Sequence, residues 1–173
     1  MDEEYMDRVL SGDTRAYRYF LANYKDLAFN IAVSIVKDDH HAEEVVQDSF
    51  MKAFTGLKSF KRTTSFKNWF YRIVVNESFQ KLRKLKKSRF IQSVAEVKEA
   101  AVEPAREAQS ERVALVFNAM KQLPAKESLA LTLFYQQEHS LKEIAEITSW
   151  SVANTKVILH RARKNIRAHL GID

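Results

Sequence analysis

The chain has few of the residues that break helices and none that form disulfides. Its 173 residues include no cysteine, three glycines and two prolines. The absence of cysteine excludes disulfides and thiolate metal sites, and it fits a reducing compartment. No apolar run approaches the roughly 18 to 20 residues that a membrane span needs, and the opening MDEEYMD is acidic where a signal peptide is basic. We therefore expect a cytoplasmic protein with no membrane insertion.

Scarce glycine and proline, with many Ala, Leu, Glu, Lys and Arg residues, favour helices and leave few positions for hairpin turns. The predicted fold class is all-α, with two small helical domains joined by a flexible linker and a helix-turn-helix in the second. The linker is expected from Phe90 to about Gln109, where the composition changes to Ala and Glu around Pro104. Apolar spacing and capping residues predict helices over about 5–10, 14–36, 40–54, 65–87, 113–123, 125–136, 141–148 and 152–169, with caps at Asp13, Asp38 or Asp39, Ser65, Ser110, Ser140 and Gly171.

Residue patterns for catalysis are missing. With glycine only at 12, 56 and 171, the chain contains neither a phosphate-binding P-loop nor a dinucleotide fingerprint. The five histidines lack the spacing of a metal site, and there is no G-x-S-x-G motif. We expect no enzymatic activity, no catalytic residue, no metal and no cofactor.

Charge is distributed in blocks. Residues 61–89 contain ten Lys or Arg against one acid, a net charge of +9, and residues 152–173 contain five against one, a net charge of +4. Residues 1–60 are acidic, with seven basic and eleven acidic groups. Two positive stretches with a mildly acidic spacer between them predict two separate contacts with one polyanion.

The first positive stretch begins in an aromatic helix, from Ser65 to Arg89. Its apolar positions recur at three- and four-residue intervals and form one broad stripe: Phe66, Trp69, Phe70, Ile73 and Val74. Aromatic faces that stack on bases, next to cations that hold phosphates, are typical of single-stranded nucleic-acid binding. The alternative is a solvated basic face on an ordinary core helix. The loop 55–64 before it carries Phe60, Lys61 and Arg62, which either enclose an unstacked base or pin the loop to the core.

The second positive stretch follows a helix-turn-helix layout. Ser140 and Glu143 form a capping-box pattern before a short apolar helix, and Ser149-Trp150-Ser151 makes a turn into a longer basic helix. The N-terminal part of such a second helix enters the major groove, so Asn154, Thr155 and Lys156 are candidates for contacts with bases and phosphates.

The helix from His40 to Phe54 has an outer face of a different kind. Val45, Val46 and Phe50 are expected to point inward. The remaining face is acidic and partly apolar, and it is either solvated or turned towards a partner; it comprises Glu43, Glu44, Gln47, Asp48, Met51 and Lys52.

Several of these stretches together resemble a known family. GDTRAYRYFLANY, DDHHAEEVVQDSFMKAF, FKNWFYRIVVN followed by Arg83, LKEIAEI and LHRAR occur in the order and spacing of bacterial RNA polymerase sigma factors of the extracytoplasmic-function (ECF) group of the sigma-70 family. The resemblance spans roughly Ser11 to Leu85 and Ala119 to Leu170.

The resemblance implies a promoter-specificity subunit with region 2 at 1–88, a linker at 89–111 and region 4 at 112–173. Its partners would be core RNA polymerase, promoter DNA and an inhibitory anti-sigma factor. It implies core-polymerase contacts by Glu44, Gln47, Asp48, Met51 and Lys52. It implies recognition and melting of the minus-ten element by Phe60, Lys61, Arg62, Phe66, Asn68, Trp69, Arg72, Asn76 and Arg83. It implies recognition of the minus-thirty-five element by Ser151, Asn154, Thr155, Lys156, His160, Arg161 and Arg163.

The chain departs from the family pattern at particular positions. Gln80 stands where the family often has Asp, and Ser149 stands where the turn commonly has Gly, followed by an unusual Trp150. The start of the recognition helix, Asn154 to Leu159, also differs from the usual TVKSRL, including Ile158. Base preferences are therefore not transferred from other members.

Two other functions stay open at the level of sequence. A free-standing helix-turn-helix regulator would use residues 1–88 for sensing or dimerisation, but a protein that binds only duplex DNA has no need of the aromatic-basic helix. An adaptor that works through the helix from His40 to Phe54 would leave both basic blocks unused.

Overall fold

The computed structural model describes residues 1–95 and 111–172, and within these residues all regular structure is helical. The all-α prediction is therefore confirmed. Its α-helices, in chain order, are α1 (Asp2–Leu10), α2 (Arg18–Val36), α3 (Asp39–Gly56), α4 (Phe66–Ala95), α5 (Glu111–Gln122), α6 (Ala125–Leu131), α7 (Leu141–Thr148) and α8 (Val152–Leu170). In the part of the chain that is described, none of these helices is long and apolar enough to cross a membrane.

Three short segments modify the predicted helices. The expected helix over 14–36 starts with a 3₁₀ turn, Thr14–Tyr17, before α2, and a second 3₁₀ turn, Leu57–Ser59, follows α3. The segment Thr132–Gln136 continues α6 with π-helical hydrogen bonding.

Most predicted caps are in place. The Asp38 carboxylate accepts from the His41 amide, and the Ser65 hydroxyl accepts from the Asn68 amide. Gly171 ends α8 in the left-handed conformation that glycine favours. Asp13 occupies the predicted N-cap position, but its carboxylate pairs with the Arg8 guanidinium at 2.8 Å and gives no side-chain cap hydrogen bond to the turn that follows.

Helix α4 is longer than the sequence pattern indicated. The predicted end near Lys87 is wrong, because the helix continues through Ala95. The physical reason is that no glycine or proline occurs between Gly56 and Pro104, so no residue interrupts the backbone hydrogen bonds at the end of the basic block. Of the predicted linker, 89–95 is helical and 96–110 lies outside the described residues, as does the predicted cap Ser110.

The first half is built around an aromatic core. Helices α2, α3 and α4 pack against one another. The Phe66 ring lies 4.1 Å from that of Phe20 and 5.8 Å from that of Phe70, and all three are essentially inaccessible to solvent. These contacts fix the start of α4 against α2 and leave its later turns, rich in Lys and Arg, on the surface.

The second half packs α6 and α7 against α8. Leu129, Leu133, Ile144 and Leu159 are fully buried there. The turn between α7 and α8 is the short connection expected for a helix-turn-helix, with Ser149 in the left-handed conformation at φ 63°.

The two halves also pack on each other, which the prediction of two domains on a flexible linker did not include. Helix α4 contacts α7, and α2 contacts α6 and the segment Thr132–Gln136; we call this contact surface the seam. Lys37 Nζ crosses the seam and donates to the Met120 carbonyl at 2.7 Å and to the Ser128 hydroxyl. Gln137 Nε2 donates to the Leu27 carbonyl at 3.0 Å. Burial lowers the pKa of Lys37 to about 8.

The capping box at the start of α7 predicts the effect of one substitution on stability. The Ser140 hydroxyl accepts from the Glu143 amide at 3.2 Å, and Glu143 Oε2 accepts from the Ser140 amide at 2.8 Å. Ser140→Ala removes the first of these bonds and should lower the free energy of unfolding by about 1 kcal/mol. Urea denaturation followed by circular dichroism measures this. Ser88→Ala, at an exposed position within α4, is the control and should leave stability within about 0.5 kcal/mol of the parent.

Candidate nucleic-acid interface

The loop before α4 is held by an aromatic stack. The Phe60 and Trp69 rings lie 4.5 Å apart with their planes at 22°, and both side chains are half-buried. The far edge of the Trp69 indole lies 3.5 Å from where a Cβ on Gly56 would be. The exposed Lys61 directly follows Phe60 in the chain, so the loop carries a cation next to a stacked aromatic residue, a combination typical of single-strand binding.

Arg62 on this loop is held by the N-terminal helix. Its backbone is in the left-handed region, at φ 55°, which a non-glycine residue rarely adopts. Its guanidinium donates to Asp7 Oδ1 of α1 at 2.5 Å while 36% of the side chain remains exposed. The sequence carried no signal for this pairing, because the partners are 55 residues apart.

Helix α4 separates the remaining minus-ten candidates by burial. Arg72, Asn76 and Arg83 are exposed, and Asn68 is half-buried. Phe66 is 2% exposed and packed among the rings of the first core. The prediction that Phe66 contacts DNA is therefore wrong in this arrangement, because its side chain completes the core.

The recognition helix α8 is capped by Ser151, whose hydroxyl accepts from the Asn154 amide at 3.0 Å. Asn154, Lys156, His160 and Arg161 are exposed. Thr155 is fully buried, and its hydroxyl donates to the Ser151 carbonyl at 2.9 Å, so the predicted DNA contact by its side chain is wrong.

Arg163 contacts the segment Thr132–Gln136, which precedes the helix-turn-helix. Its Nε donates to the Tyr135 hydroxyl at 2.8 Å, and the guanidinium lies 5.1 Å from the centroid of the Phe134 ring. A cation over an aromatic face keeps its charge available to a phosphate while the stem is held in place. Arg163 thus remains a candidate for phosphate contact.

The position of Arg72 was not foreseen. This exposed residue was expected to contact the minus-ten element, and its guanidinium donates to the Ser149 hydroxyl in the helix-turn-helix at 2.7 Å. The seam therefore brings a candidate residue of the first DNA-binding surface against the turn that precedes the second.

The outer face of α3 divides into free and paired side chains. Gln47, Asp48 and Met51 are exposed, Met51 to 69%. Lys52 pairs with Glu77 of α4, and Glu44 accepts from Lys81 of α4 at 2.5 Å and lies 3.0 Å from His41 Nδ1. The Lys81 hydrogen bond, followed by that of His41, lowers the pKa of Glu44 to about 2. Sequence spacing placed these five residues on one face, but it gave no sign of their partners Lys81 and Glu77.

Comparison with known proteins identifies the family of the chain. The family description Sigma-70 region 2 matches residues 20–88, and Sigma-70 region 4 matches residues 114–166. The ECF RNA polymerase sigma factor SigM of Bacillus subtilis is 31% identical over 148 residues, which cover 84% of this chain and 89% of SigM. The chain belongs to the ECF sigma factor family. The resemblance seen in the sequence motifs is confirmed.

Other relatives extend this likeness over the whole sigma factor. The ECF RNA polymerase sigma factor SigW of Bacillus subtilis is 26% identical over 181 residues, covering 98% of this chain and 97% of SigW. The sigma factor RpoE of Bartonella quintana, solved in complex with the anti-sigma factor NepR, is similar in fold, with a TM-score of 0.73 at 24% identity over 90% of this chain and 96% of RpoE.

The burial of Phe66 generates a prediction that separates a core residue from a DNA contact. Phe66→Ala should lower the free energy of unfolding of this sigma factor by about 3 to 5 kcal/mol, because it leaves a cavity among Phe20, Tyr24 and Phe70. Urea denaturation measures the loss. Phe90→Ala is the matched control: Phe90 is 70% exposed on the same helix, and its removal should change stability by less than about 0.5 kcal/mol. Wild-type stability of Phe66→Ala would contradict the core assignment.

Proposed function

We propose that this ECF sigma factor directs core RNA polymerase to specific promoters and initiates transcription by recognising the promoter and opening its strands. The observation that carries the proposal is the junction of the loop and α4, where Phe60 stacks on Trp69 and is followed in the chain by the exposed Lys61, in the half that matches region 2. A protein that binds only duplex DNA has no use for such a site, whereas a protein that captures an unpaired base has. The free-standing regulator is therefore not the function we propose.

At the minus-ten element, a base leaving the stack would replace one ring of the Phe60–Trp69 pair as stacking partner. Each base stacked on an aromatic ring contributes about 1 to 3 kcal/mol, which offsets part of the cost of unpairing. The proposed contacts, with Phe66 removed, are Phe60, Lys61, Arg62, Asn68, Trp69, Arg72, Asn76 and Arg83. Arg62 would exchange Asp7 for a backbone phosphate, which provides the same charge-assisted geometry.

At the minus-thirty-five element, the first turns of α8 would enter the major groove. The proposed contacts, with Thr155 removed, are Ser151, Asn154, Lys156, His160, Arg161 and Arg163. Asn154 is the strongest candidate for reading a base edge, because it is exposed in the first turn and its amide both donates and accepts. The cations further along α8 would hold phosphates and set the register.

Core polymerase would bind the outer face of α3. The exposed Gln47, Asp48 and Met51 would supply a polar and thioether surface, and Glu44 and Lys52 would form its edge while tying α3 to α4. An apolar side chain as exposed as Met51 suits a binding surface that adapts to its partner.

Further parts of the proposal concern organisation and regulation. We assign region 2 to 1–88, the linker to 89–111 and region 4 to 112–173. The protein would act in the cytoplasm, where polymerase and promoters are, and would have no enzymatic activity of its own. An anti-sigma factor is a proposed partner because the similar RpoE was solved with one.

The proposed function is tested by purification with core RNA polymerase and by run-off transcription. The sigma factor should co-elute with core polymerase and drive transcripts from promoters identified by start-site mapping after its overproduction. Tight binding of duplex DNA by the free protein, without association with polymerase, would instead support the free-standing regulator.

The division of labour between the two surfaces of region 2 makes a sharper prediction. Trp69→Ala and Lys61→Ala should each reduce the extent of promoter opening, Trp69→Ala by about tenfold, because a stacking face is lost. Both should leave the affinity for core polymerase unchanged. Asp48→Ala should weaken polymerase binding by about fivefold or more and leave opening by the assembled complex unchanged. Permanganate footprinting measures opening, and fluorescence anisotropy measures polymerase affinity.

A matched control is available on the same segment. Lys58 is exposed and cationic like Lys61 but lies in the 3₁₀ turn Leu57–Ser59, before Phe60, so Lys58→Ala should have a smaller effect on opening than Lys61→Ala. Equal losses in both measurements for all of these variants would refute the separation of the two surfaces.

A further inference from the structure

The closed arrangement of the two halves conflicts with DNA geometry if the proposed function holds. The minus-ten and minus-thirty-five elements of a promoter are centred about 25 base pairs apart, which separates them by about 85 Å along B-DNA at 3.4 Å per base pair. In this structure Arg72, a proposed minus-ten contact, is hydrogen-bonded to Ser149 in the helix-turn-helix at 2.7 Å. One duplex cannot reach both surfaces at that distance, so the seam must open before the promoter is read.

The polar groups of the seam are incompletely satisfied. Among the described residues, the buried side-chain oxygen and nitrogen atoms without a hydrogen-bond partner are the Tyr71 hydroxyl, Gln137 Oε1 and His139 Nε2. The Tyr71 and His139 rings meet edge to face across the seam, with centroids 5.8 Å apart, and Gln137 bonds across it through its other amide atom. All three unsatisfied atoms therefore belong to residues that join the two halves.

Such atoms lower the stability of the closed state specifically. A buried donor or acceptor without a partner costs more than a satisfied one contributes, and it recovers its hydration when the surface opens. The seam is also held by apolar packing and by hydrogen bonds: two from Lys37, one from Gln137 to the Leu27 carbonyl and one from Arg72 to the Ser149 hydroxyl. Its closure is thus a balance between these attractions and the unsatisfied groups.

We propose that the seam is a metastable latch. The unsatisfied atoms of Tyr71, Gln137 and His139 keep the free-energy difference between the closed and the open arrangement small, so that binding of promoter and polymerase opens it. Removing an unsatisfied atom should therefore tighten the latch, the opposite of what deletion of an interface contact ordinarily does.

Protonation of His139 should favour the open arrangement of the two halves. Lys67 and Tyr71 face it from α4, Glu143 faces it from α7 with Oε2 3.9 Å from Nδ1, and the Leu133 carbonyl accepts from its amide. Burial, with the Lys67 charge second, lowers the pKa of His139, while Glu143 opposes the shift less strongly. A histidine whose pKa is lower in the closed state stabilises that state above its ordinary pKa of about 6.5, and this stability is lost as pH falls below that value.

The experiment measures opening in the free, full-length chain. Because the chain has no cysteine, Ala22→Cys and Ala168→Cys, at exposed positions of α2 and α8, allow specific attachment of two spin labels. Pulsed electron paramagnetic resonance then gives the populations of short and long distances over urea concentrations below global unfolding. Tyr71→Phe removes one unsatisfied oxygen and should raise the closed-to-open ratio about fivefold or more.

Tyr17→Phe is the matched control. Tyr17 is also buried, but its hydroxyl donates to the Phe50 carbonyl at 2.7 Å within the first half. This control variant should lower global stability and leave the closed-to-open ratio unchanged. An unchanged or lower ratio in Tyr71→Phe would overturn the proposal.

The pH arm tests the same latch through His139. Lowering the pH from about 8 to about 6 should increase the open population of the parent. Lys37, whose pKa burial lowers to about 8, also crosses the seam and contributes to this dependence, so His139→Leu should reduce the dependence and favour the closed form. A pH dependence in folded His139→Leu as large as that of the parent would overturn the role of this histidine; if that variant does not fold, Tyr71→Phe still decides the proposal. Since these measurements need neither polymerase nor promoter, their failure is distinguishable from failure of the proposed function.

Discussion

One helix, α4, has to satisfy two opposing requirements, and the rest of the structure depends on how it does so. It buries Phe66, Phe70 and Val74 completely, and it carries a tail in which like charges crowd. Packing against α2 and α3 fixes its first turns. That packing positions Trp69 under Phe60 and directs the cations into solvent. The apolar contacts thus hold in place a concentration of positive charge that a polyanion can neutralise.

The same helix also links the two halves, because α7 packs on it in the closed form. The side chains on this face are not a well-satisfied core: Tyr71 is fully buried, and its hydroxyl has no hydrogen-bond partner among the residues that the structure describes. A permanent interface would be more stable with apolar groups at such positions. Polar groups left unsatisfied at such positions suit the interface proposed above, which forms and separates.

Particular residues show how far sequence reasoning reached. Periodicity placed Phe66 and Trp69 on one stripe, but they lie three residues apart, and spacing alone could not tell which faces the core and which the loop. In the same way, Asn154 and Thr155 are neighbours at the start of α8, and only packing shows that one is exposed and the other buried. The pairs Arg62–Asp7, Arg72–Ser149 and Lys81–Glu44 join residues at least 37 positions apart, and no local pattern announces them.

The sequence by itself determined the helical class, the capping box at Ser140, the helix-turn-helix layout and the family, because these depend on local hydrogen bonding, on apolar period and on the order of motifs. Only the tertiary structure decided which members of each motif remain exposed, where α4 ends and that the two halves close on each other. The physical reason is that burial and long-range hydrogen bonds depend on how helices approach in space. A period of 3.6 residues identifies the face of a helix but not the partner that covers it.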